Sequence, residues 1–353
     1  MKNALTSILA ASIVAIAAVS CVSGPKDIHL GRNIGGVDTT GFHAIFDSIY
    51  GMPCNELHSM IVTKDGKIVY EQYGPGHTAD ELHILWSATK TFTATGVGFA
   101  VQDGLLSVDD KVVSFFDETE LPEEPSELLG KMTVKNLLTM SGGFDTDNIS
   151  SLKNLKDCTW AKAVLANGFI FEPGQKFSYN SMESYLLSVI VSKVTGRTLC
   201  DYLDEKLFQP LGIRRYIYLA SPEGFNCGGW GLFLTSESLA KMGQFFLNKG
   251  SWNGKQLLDE AWIHDAMSPQ VMQWQQSADW DPAEKEQYKD NEWGQGYGYQ
   301  MWCCTHGGAR LDGAWGQLVI IIPDKNASVV YTSHASTTAE LIDFVWKTVY
   351  PAL

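Results

Sequence analysis

Four serines in this chain have a lysine three residues further on: Ser23/Lys26, Ser87/Lys90, Ser150/Lys153 and Ser238/Lys241. On a helix that spacing puts a hydroxyl and an amine on one face, a turn apart. An amine that has shed its proton can take the proton of such a hydroxyl and make it a nucleophile. Spacing cannot choose among four pairs; context can. Ser23/Lys26 falls in an N-terminal leader and Ser150/Lys153 in a polar loop. Ser238/Lys241 sits on an amphipathic helix whose charges read as solvent-facing. Ser87/Lys90 opens SATKTFTATGVGFAVQDG, where no charge separates Lys90 from Asp103. A surface helix would show a charged face with a period near 3.6, so this one is expected to be buried on most sides. Burial and the positive end of the helix dipole both disfavour an ammonium, which predicts a lowered pKa for Lys90. The backbone N–H of Ser87 could then hold a developing oxyanion. The plainer reading, a capping serine beside a lysine that reaches solvent, fits this stretch alone equally well.

Two further pieces bear on the choice. Tyr179, Asn180 and Ser181 lie where a Pro-Gly turn feeds an apolar helix, and a phenol beside a lysine amine can relay a proton between nucleophile and leaving group. In ARLDGAWGQLVIIIP, Gly313 precedes a strand and suits close approach of a ligand to the backbone, which makes the N–H of Ala314 a candidate second oxyanion donor. Read singly, these are a core tyrosine with a capping serine and a turn glycine.

The elements that must position these groups follow from the patterning. HSMIVTKDGKIVYEQYG reads as two strands about the hairpin signal Asp65-Gly66. Residues 105–250 are mostly helical pieces, including FEPGQKFSYNSMESYLLSVIVSKVTG with its closing Gly196. Strands return in GYGYQMWCC and in QLVIIIPDKNASVVYTS, which turns at 323–326, and TAELIDFVWKTVY closes the chain as a helix. The expected class is α+β. One antiparallel sheet is built from N- and C-terminal strands and flanked by helices, with a mostly helical lobe inserted at about 105–250. The acidic, aromatic stretch from Trp274 to Glu292 reads as a solvated loop or as a lid over the site.

The chain has 353 residues, 45% of them hydrophobic, and a formal charge of −14. It lacks the clustered Lys and Arg that nucleic-acid binding needs, which sets that class aside. MKNALTSILAASIVAIAAVS resembles an export signal over residues 1–20, with Cys21 at a lipoprotein-like cleavage box. A leader or tether over 21–43 and a catalytic domain over 44–353 follow. The expected location is the cell envelope, held by a lipidated Cys21 on the periplasmic or outer-membrane face. An ordinary signal would instead leave the protein secreted or periplasmic. Six cysteines besides Cys21 permit disulfides without fixing a pairing. Cys303, Cys304 and His306 lack the spacing usual for zinc, so no metal is expected.

Taken in order, these pieces resemble the β-lactamase-related serine hydrolases, the penicillin-recognising fold in its class C β-lactamase and esterase-like branch. The resemblance runs from His58 to about Val345. It rests on LHILWSATKTFTATGVGFAVQDGLLSVDDKV, NLLTMSGG, FEPGQKFSYNSMESYLLSVIVSKVTG, GGWGLFLTSESLAKMGQFFLNKGSWNGKQLL, GYGYQMW and DGAWGQLVIIIPDKNASVV. It implies Ser87 as acylated nucleophile, Lys90 as its base and Tyr179 as proton relay. Ser181 takes the third place of the Tyr-x-Asn motif, and Asn180, Asp312 and Gly313 are substrate-binding candidates. It also implies a small or peptide-like ester or amide as substrate and no cofactor. The departure lies in the third motif, where the family carries Lys or His, then Ser or Thr, then Gly. The favoured alignment puts Leu311, Asp312 and Gly313 there; a rival uses His306, Gly307 and Gly308. Without a cation at that place, efficient penicillin hydrolysis is not expected. The alternatives to an esterase or amidase are a peptidoglycan DD-peptidase or β-lactamase, and an inactive binding protein on the same fold.

Overall fold

The computed structural model of the protein describes residues 28–145, 158–273 and 290–353, with residues 152, 286 and 288 and the backbone of 17–19. Cys21, the pairs Ser23/Lys26 and Ser150/Lys153, and the stretch 274–285 lie outside the described residues.

The first described elements are two short strands, β1 (Ala17–Val19) and β2 (Gly31–Arg32), and helix α1 (Ala44–Tyr50). The predicted hairpin follows as β3 (Glu56–Lys64) and β4 (Lys67–Tyr73). Asp65 and Gly66 turn it with φ of 48° and 76°, the pair of positive values a two-residue hairpin demands. After β5 (His83–Ile84) and a tight turn at Trp86–Ala88 comes α2 (Thr89–Gln102). The helical lobe contains α3 (Val134–Leu138), α4 (Ser181–Thr195) and α5 (Leu199–Leu203). Strands β6 (Ile217–Ala220) and β7 (Leu232–Leu234) lead to α6 (Ser236–Leu247), the two-residue hairpin β8 and β9 (Ser251–Trp252, Lys255–Gln256) and α7 (Glu260–Met267). The chain ends in β10 (Trp302–Cys303), β11 (Ala309–Gly313), β12 (Gln317–Ile322), β13 (Ala327–His334) and α8 (Thr338–Phe344).

The main sheet has seven strands in the order β10-β11-β12-β13-β3-β4-β2. It joins both ends of the chain, as expected, and is antiparallel except at its edge, where β2 runs parallel to β4. Both faces are buried, which explains runs as apolar as LVIII. Ile61, Val319, Ile321 and Val330 face the helical lobe. Met60, Val62, Leu318, Ile320 and Tyr331 face α1 and the C-terminal helix. Alternation across the pleat sends neighbours to opposite cores.

Three expectations need correction. GYGYQMWCC is strand only at Trp302–Cys303, because Gln300 takes φ of 59° and Gly296 φ of 102°, which turn the chain away from the sheet. A second sheet, β1-β6-β7-β5, was not foreseen; its strands span two to four residues, too short for periodicity to register. The charges of α6 do not face solvent. Ser238 and Lys241 are buried, and the Lys241 ammonium donates to the Gly212 carbonyl at 3.0 Å. The six cysteines among the described residues are free thiols. No helix among the described residues is long and apolar enough to cross a membrane.

Candidate active site

Helix α2 is built from small residues because it is the axis of the lobe. It packs on α4 and α5. A Cβ on Gly96 would come within 2.5 Å of Leu199, and one on Gly98 within 2.6 Å of the Trp262 ring. Its buried hydroxyls are satisfied: Thr93 Oγ1 donates to the Gly228 carbonyl at 2.7 Å, and Thr91 Oγ1 to that of Gln300 at 2.9 Å. Polar side chains can therefore line this interior without the penalty of an unmade hydrogen bond.

Ser87 sits in the turn just before α2. Trp86 enters that turn with φ of 48°, a left-handed conformation that is strained for a bulky residue and held here by its surroundings. The Leu85 N–H donates to the Leu232 carbonyl at 2.9 Å, fixing the approach from the sheet side. Lys90, in the first turn of α2, is 1% exposed. Its ammonium lies 3.2 Å from Ser87 Oγ, 3.1 Å from Ser181 Oγ and 2.7 Å from the Gly229 carbonyl. Those acceptors are two hydroxyls and a peptide oxygen, and the amine stands one hydrogen bond from the serine. Tyr179 supplies the next wall, with its ring centroid 4.9 Å from the Lys90 nitrogen. The ring stacks on Trp302 at 5.7 Å and meets Tyr297 edge-on at 6.2 Å. Ser87, Lys90, Tyr179 and Ser181 thus come together from the turn before α2, α2 itself and the start of α4.

Asn180 stands differently. It is the N-cap of α4, with its Oδ1 accepting from the Met182 N–H at 2.8 Å. The cap, assigned to the serine in the plainer sequence reading, belongs to the asparagine. That leaves Ser181 Oγ turned to the lysine.

The third motif lies on β11, packed against the turn that holds Ser87. A Cβ on Gly313 would strike the Leu85 carbonyl and stand 3.1 Å from the Ala88 nitrogen. Only glycine fits there, and the exposed Ala314 follows at the mouth. His306, Gly307 and Gly308 are elsewhere: the His306 ring stacks on Trp346 at 4.3 Å, beside the C-terminal helix. Arg310 and Asp312 share a face of β11, and Arg310 Nε donates to Asp312 Oδ2 at 3.0 Å. Arg310 is fully buried, also contacts Glu292 Oε2 at 3.4 Å, and lies over the rings of Trp293 and Trp302. Burial pushes the Asp312 carboxyl up, while Arg310 and a bond with Trp293 pull against it. The one cation on this strand is therefore spent on two carboxylates.

One positioning residue escaped the sequence reading. Gln300 is buried, donates from Nε2 to the Leu137 and Leu138 carbonyls at 2.9 and 3.0 Å, and accepts from Ser184 Oγ at 2.5 Å. With its own carbonyl held by Thr91, it ties α2, α3 and α4 together behind the site. Its signal was the Gln inside YGYQMW, but its partners are over a hundred residues away.

The beta-lactamase family model matches residues 58–343. Penicillin-binding protein 4* of Bacillus subtilis is 26% identical over 166 residues, covering 43% of this chain and 34% of that protein. An Escherichia coli K12 protein provisionally assigned as a D-alanyl-D-alanine carboxypeptidase is 24% identical over 192 residues, 48% of this chain and 44% of its own length. The chain thus spans less than half the length of these curated relatives. Among solved structures, a Bacillus anthracis protein provisionally assigned as a 6-aminohexanoate-dimer hydrolase superposes with a TM-score of 0.74 at 19% identity, over 96% of this chain and 90% of that one. The octameric penicillin-binding protein homologue of Pyrococcus abyssi gives 0.67 at 20% identity, over 89% and 78%. At these identities the likeness is one of fold.

Proposed function

This chain belongs to the beta-lactamase family, and on that premise we propose that it is an exported serine hydrolase that cleaves an ester or amide through an acyl-enzyme on Ser87. The observation that carries this reading is the buried Lys90 amine 3.2 Å from the Ser87 hydroxyl.

Lys90, as the free amine, takes the Ser87 proton while Oγ attacks the substrate carbonyl. The oxyanion is held by the N–H groups of Ser87 and Ala314. The proton passes by way of Tyr179 to the leaving alcohol or amine as the carbon–oxygen or carbon–nitrogen bond breaks. Water then adds to the ester on Ser87 by the reverse proton path and frees the acid. Ser181 keeps the amine aimed in both halves. No step draws on a metal or organic cofactor.

The substrate is a small or peptide-like ester or amide. The buried Arg310–Asp312 pair argues against a carboxylate handle at the third motif, and so against a DD-peptidase or β-lactamase. Export and an anchor on lipidated Cys21 complete the reading, supported by the signal-like stretch before it; cleavage there removes β1 and leaves β6, β7 and β5 as the mature second sheet. Intact-mass analysis of the cell-expressed protein should show a chain starting at a diacylated Cys21, and Cys21→Ala should abolish the lipid.

The test of the chemistry is a serine-reactive fluorophosphonate probe followed by peptide mapping. Adduct on Ser87 in the wild type and none in Ser87→Ala is expected. An unlabelled wild type would make the chain a binding protein on a hydrolase fold.

A further inference from the structure

The tripeptide Glu-Leu-His occurs twice, at 56–58 and 81–83, and in each the outer two residues lie two apart. In extended chain that puts a carboxylate and an imidazole on one side. The structure brings both copies together with His77, at the end of the main sheet where β3 begins and the chain leaves β4 for β5.

The hydrogen bonds admit a proton assignment that leaves two ring nitrogens facing inward with lone pairs. His77 Nδ1 lies 2.8 Å from Glu81 Oε2. A carboxylate accepts only, so Nδ1 carries the proton and His77 Nε2 presents a lone pair. That Nε2 points to Glu56 Oε2 at 3.9 Å. His58 Nδ1 lies 3.3 Å from His83 Nδ1, and His58 Nε2 is 3.8 Å from the same Glu56 oxygen. With His58 Nδ1–H donating to His83, His58 Nε2 also carries a lone pair, and His83 carries its proton on Nε2. The His83 Nε2 is buried, makes no hydrogen bond and stands 4.0 Å from Glu81 Oε2. This assignment pairs His77 with Glu81 and His58 with His83 and leaves the buried His83 Nε2–H without an acceptor. It leaves two imidazole lone pairs and a carboxylate oxygen within 4.8 Å of one another, with the His58 and His77 rings stacked at 4.0 Å.

We infer that Glu56, His58 and His77 form a binding site for a divalent ion of the zinc class. Two imidazoles and a carboxylate suit such ions. Bonds of 2.0–2.2 Å in a tetrahedron set neighbouring donors about 3.4 Å apart. The observed 3.8 and 3.9 Å close to that by a rotation of Glu56, whose side chain is 59% exposed, and binding turns the stacked His58 and His77 rings apart so that their lone pairs converge. Water takes the remaining position from the open side. Glu81 and His83 are positioning residues, each holding a ligand imidazole by its far nitrogen. The site lies apart from the serine but next to its scaffold. His83 is four residues before Ser87, and His334, paired with Glu56 across the sheet, stacks on Trp315 at 4.4 Å, next to Ala314.

Titration of the full, untagged chain with Co²⁺, followed by its visible absorption, tests this without any substrate. One equivalent giving the intense bands of four- or five-coordinate cobalt, displaced by Zn²⁺, is expected. His77→Ala, in an accessible loop, and His58→Ala should each weaken binding at least 100-fold. Glu81→Gln should weaken it 10–100-fold, as loss of an outer partner does. Ser87→Ala and Cys54→Ser should bind as the wild type does. A wild-type chain without the bands, or bands that survive in His77→Ala, would overturn the site.

Discussion

At the scale of the residue, the chemistry depends on what surrounds one amine. The pair Ser238/Lys241 shows that burial and spacing are not sufficient, since Lys241 is as buried as Lys90 but its ammonium is given to the Gly212 carbonyl. Lys90 reaches two hydroxyls at once, Ser87 and Ser181. Their roles separate by experiment. On the proposed mechanism Tyr179→Phe removes the proton relay but keeps the ring on Trp302, so kcat should fall by about 10²–10⁴ while KM stays within a few-fold. Ser181→Ala removes one partner of the amine, and a loss of about tenfold in kcat is expected, the worth of one hydrogen bond. Steady-state kinetics on one activated ester resolves both. Equal losses would mean that Ser181 does more than hold the lysine. That Ser87, Lys90 and Tyr179 would meet was legible in the sequence because each stands at a visible boundary, a helix mouth or a Pro-Gly turn. The roles of Asn180 and Ser181 were not, since the cap is decided by backbone dihedrals that residue types only bias.

At the scale of the element, α2 carries the site and Gly98 lets it lie where it does. The Cβ of Gly98→Ala would meet the Trp262 indole at 2.6 Å, a contact with a stiff ring rather than a flexible end. Overpacking of this kind costs about 1–3 kcal/mol, so a lowered melting temperature is expected despite alanine's better helix propensity. A melting temperature equal to or above that of the wild type would show that Trp262 has room to move. Helix α6 has a different anchor. Glu237 accepts from the Leu30 N–H at 2.5 Å and lies 2.7 Å from His29 Nδ1 and 3.1 Å from Arg32. Burial pushes its carboxyl up, but these bonds and the Arg32 charge outweigh that and hold it below the ordinary value of 4.5. A folded-state pKa below the unfolded one contributes stability that is fully present above about pH 4.5 and is lost as pH falls through the folded value. Glu237→Gln should therefore lower stability at pH 7, by about 2 kcal/mol, and the gap to the wild type should narrow on acidification below pH 4.5. Melting curves from pH 7 to pH 3 decide it; a gap constant with pH would mean the charge plays no part. The misreading of α6 has the same origin. Glu237 and Lys241 look like a solvent face in SESLAKMG, and what covers them, residues 28–32 and the Gly212 carbonyl, comes from far along the chain. The two-sided sheet was legible because LVIII and ASVV carry their apolar pattern within themselves.

At the scale of the whole molecule, charge bears on what can reach the serine. The chain carries −14, and the strand beside the site answers an anion with no available cation. Arg310 is 0% exposed and bound to both Asp312 and Glu292. A field of this sign repels anionic substrates over about a Debye length, near 8 Å at physiological salt and 30 Å at 0.01 M. Neutral substrates do not feel it. Two esters of the same alcohol, one with a neutral acyl chain and one ending in a carboxylate, should then part in their salt response. The kcat/KM of the anionic ester should rise several-fold from 0.01 to 0.15 M salt, and that of the neutral ester should stay flat. Labelled penicillin, whose recognition needs its carboxylate held, should give little stable adduct on Ser87 at either salt. An anionic ester with no salt response and a penicillin adduct that accumulates would mean that some other group meets the carboxylate. The substrate class would then move from neutral esters and amides toward cell-wall peptides.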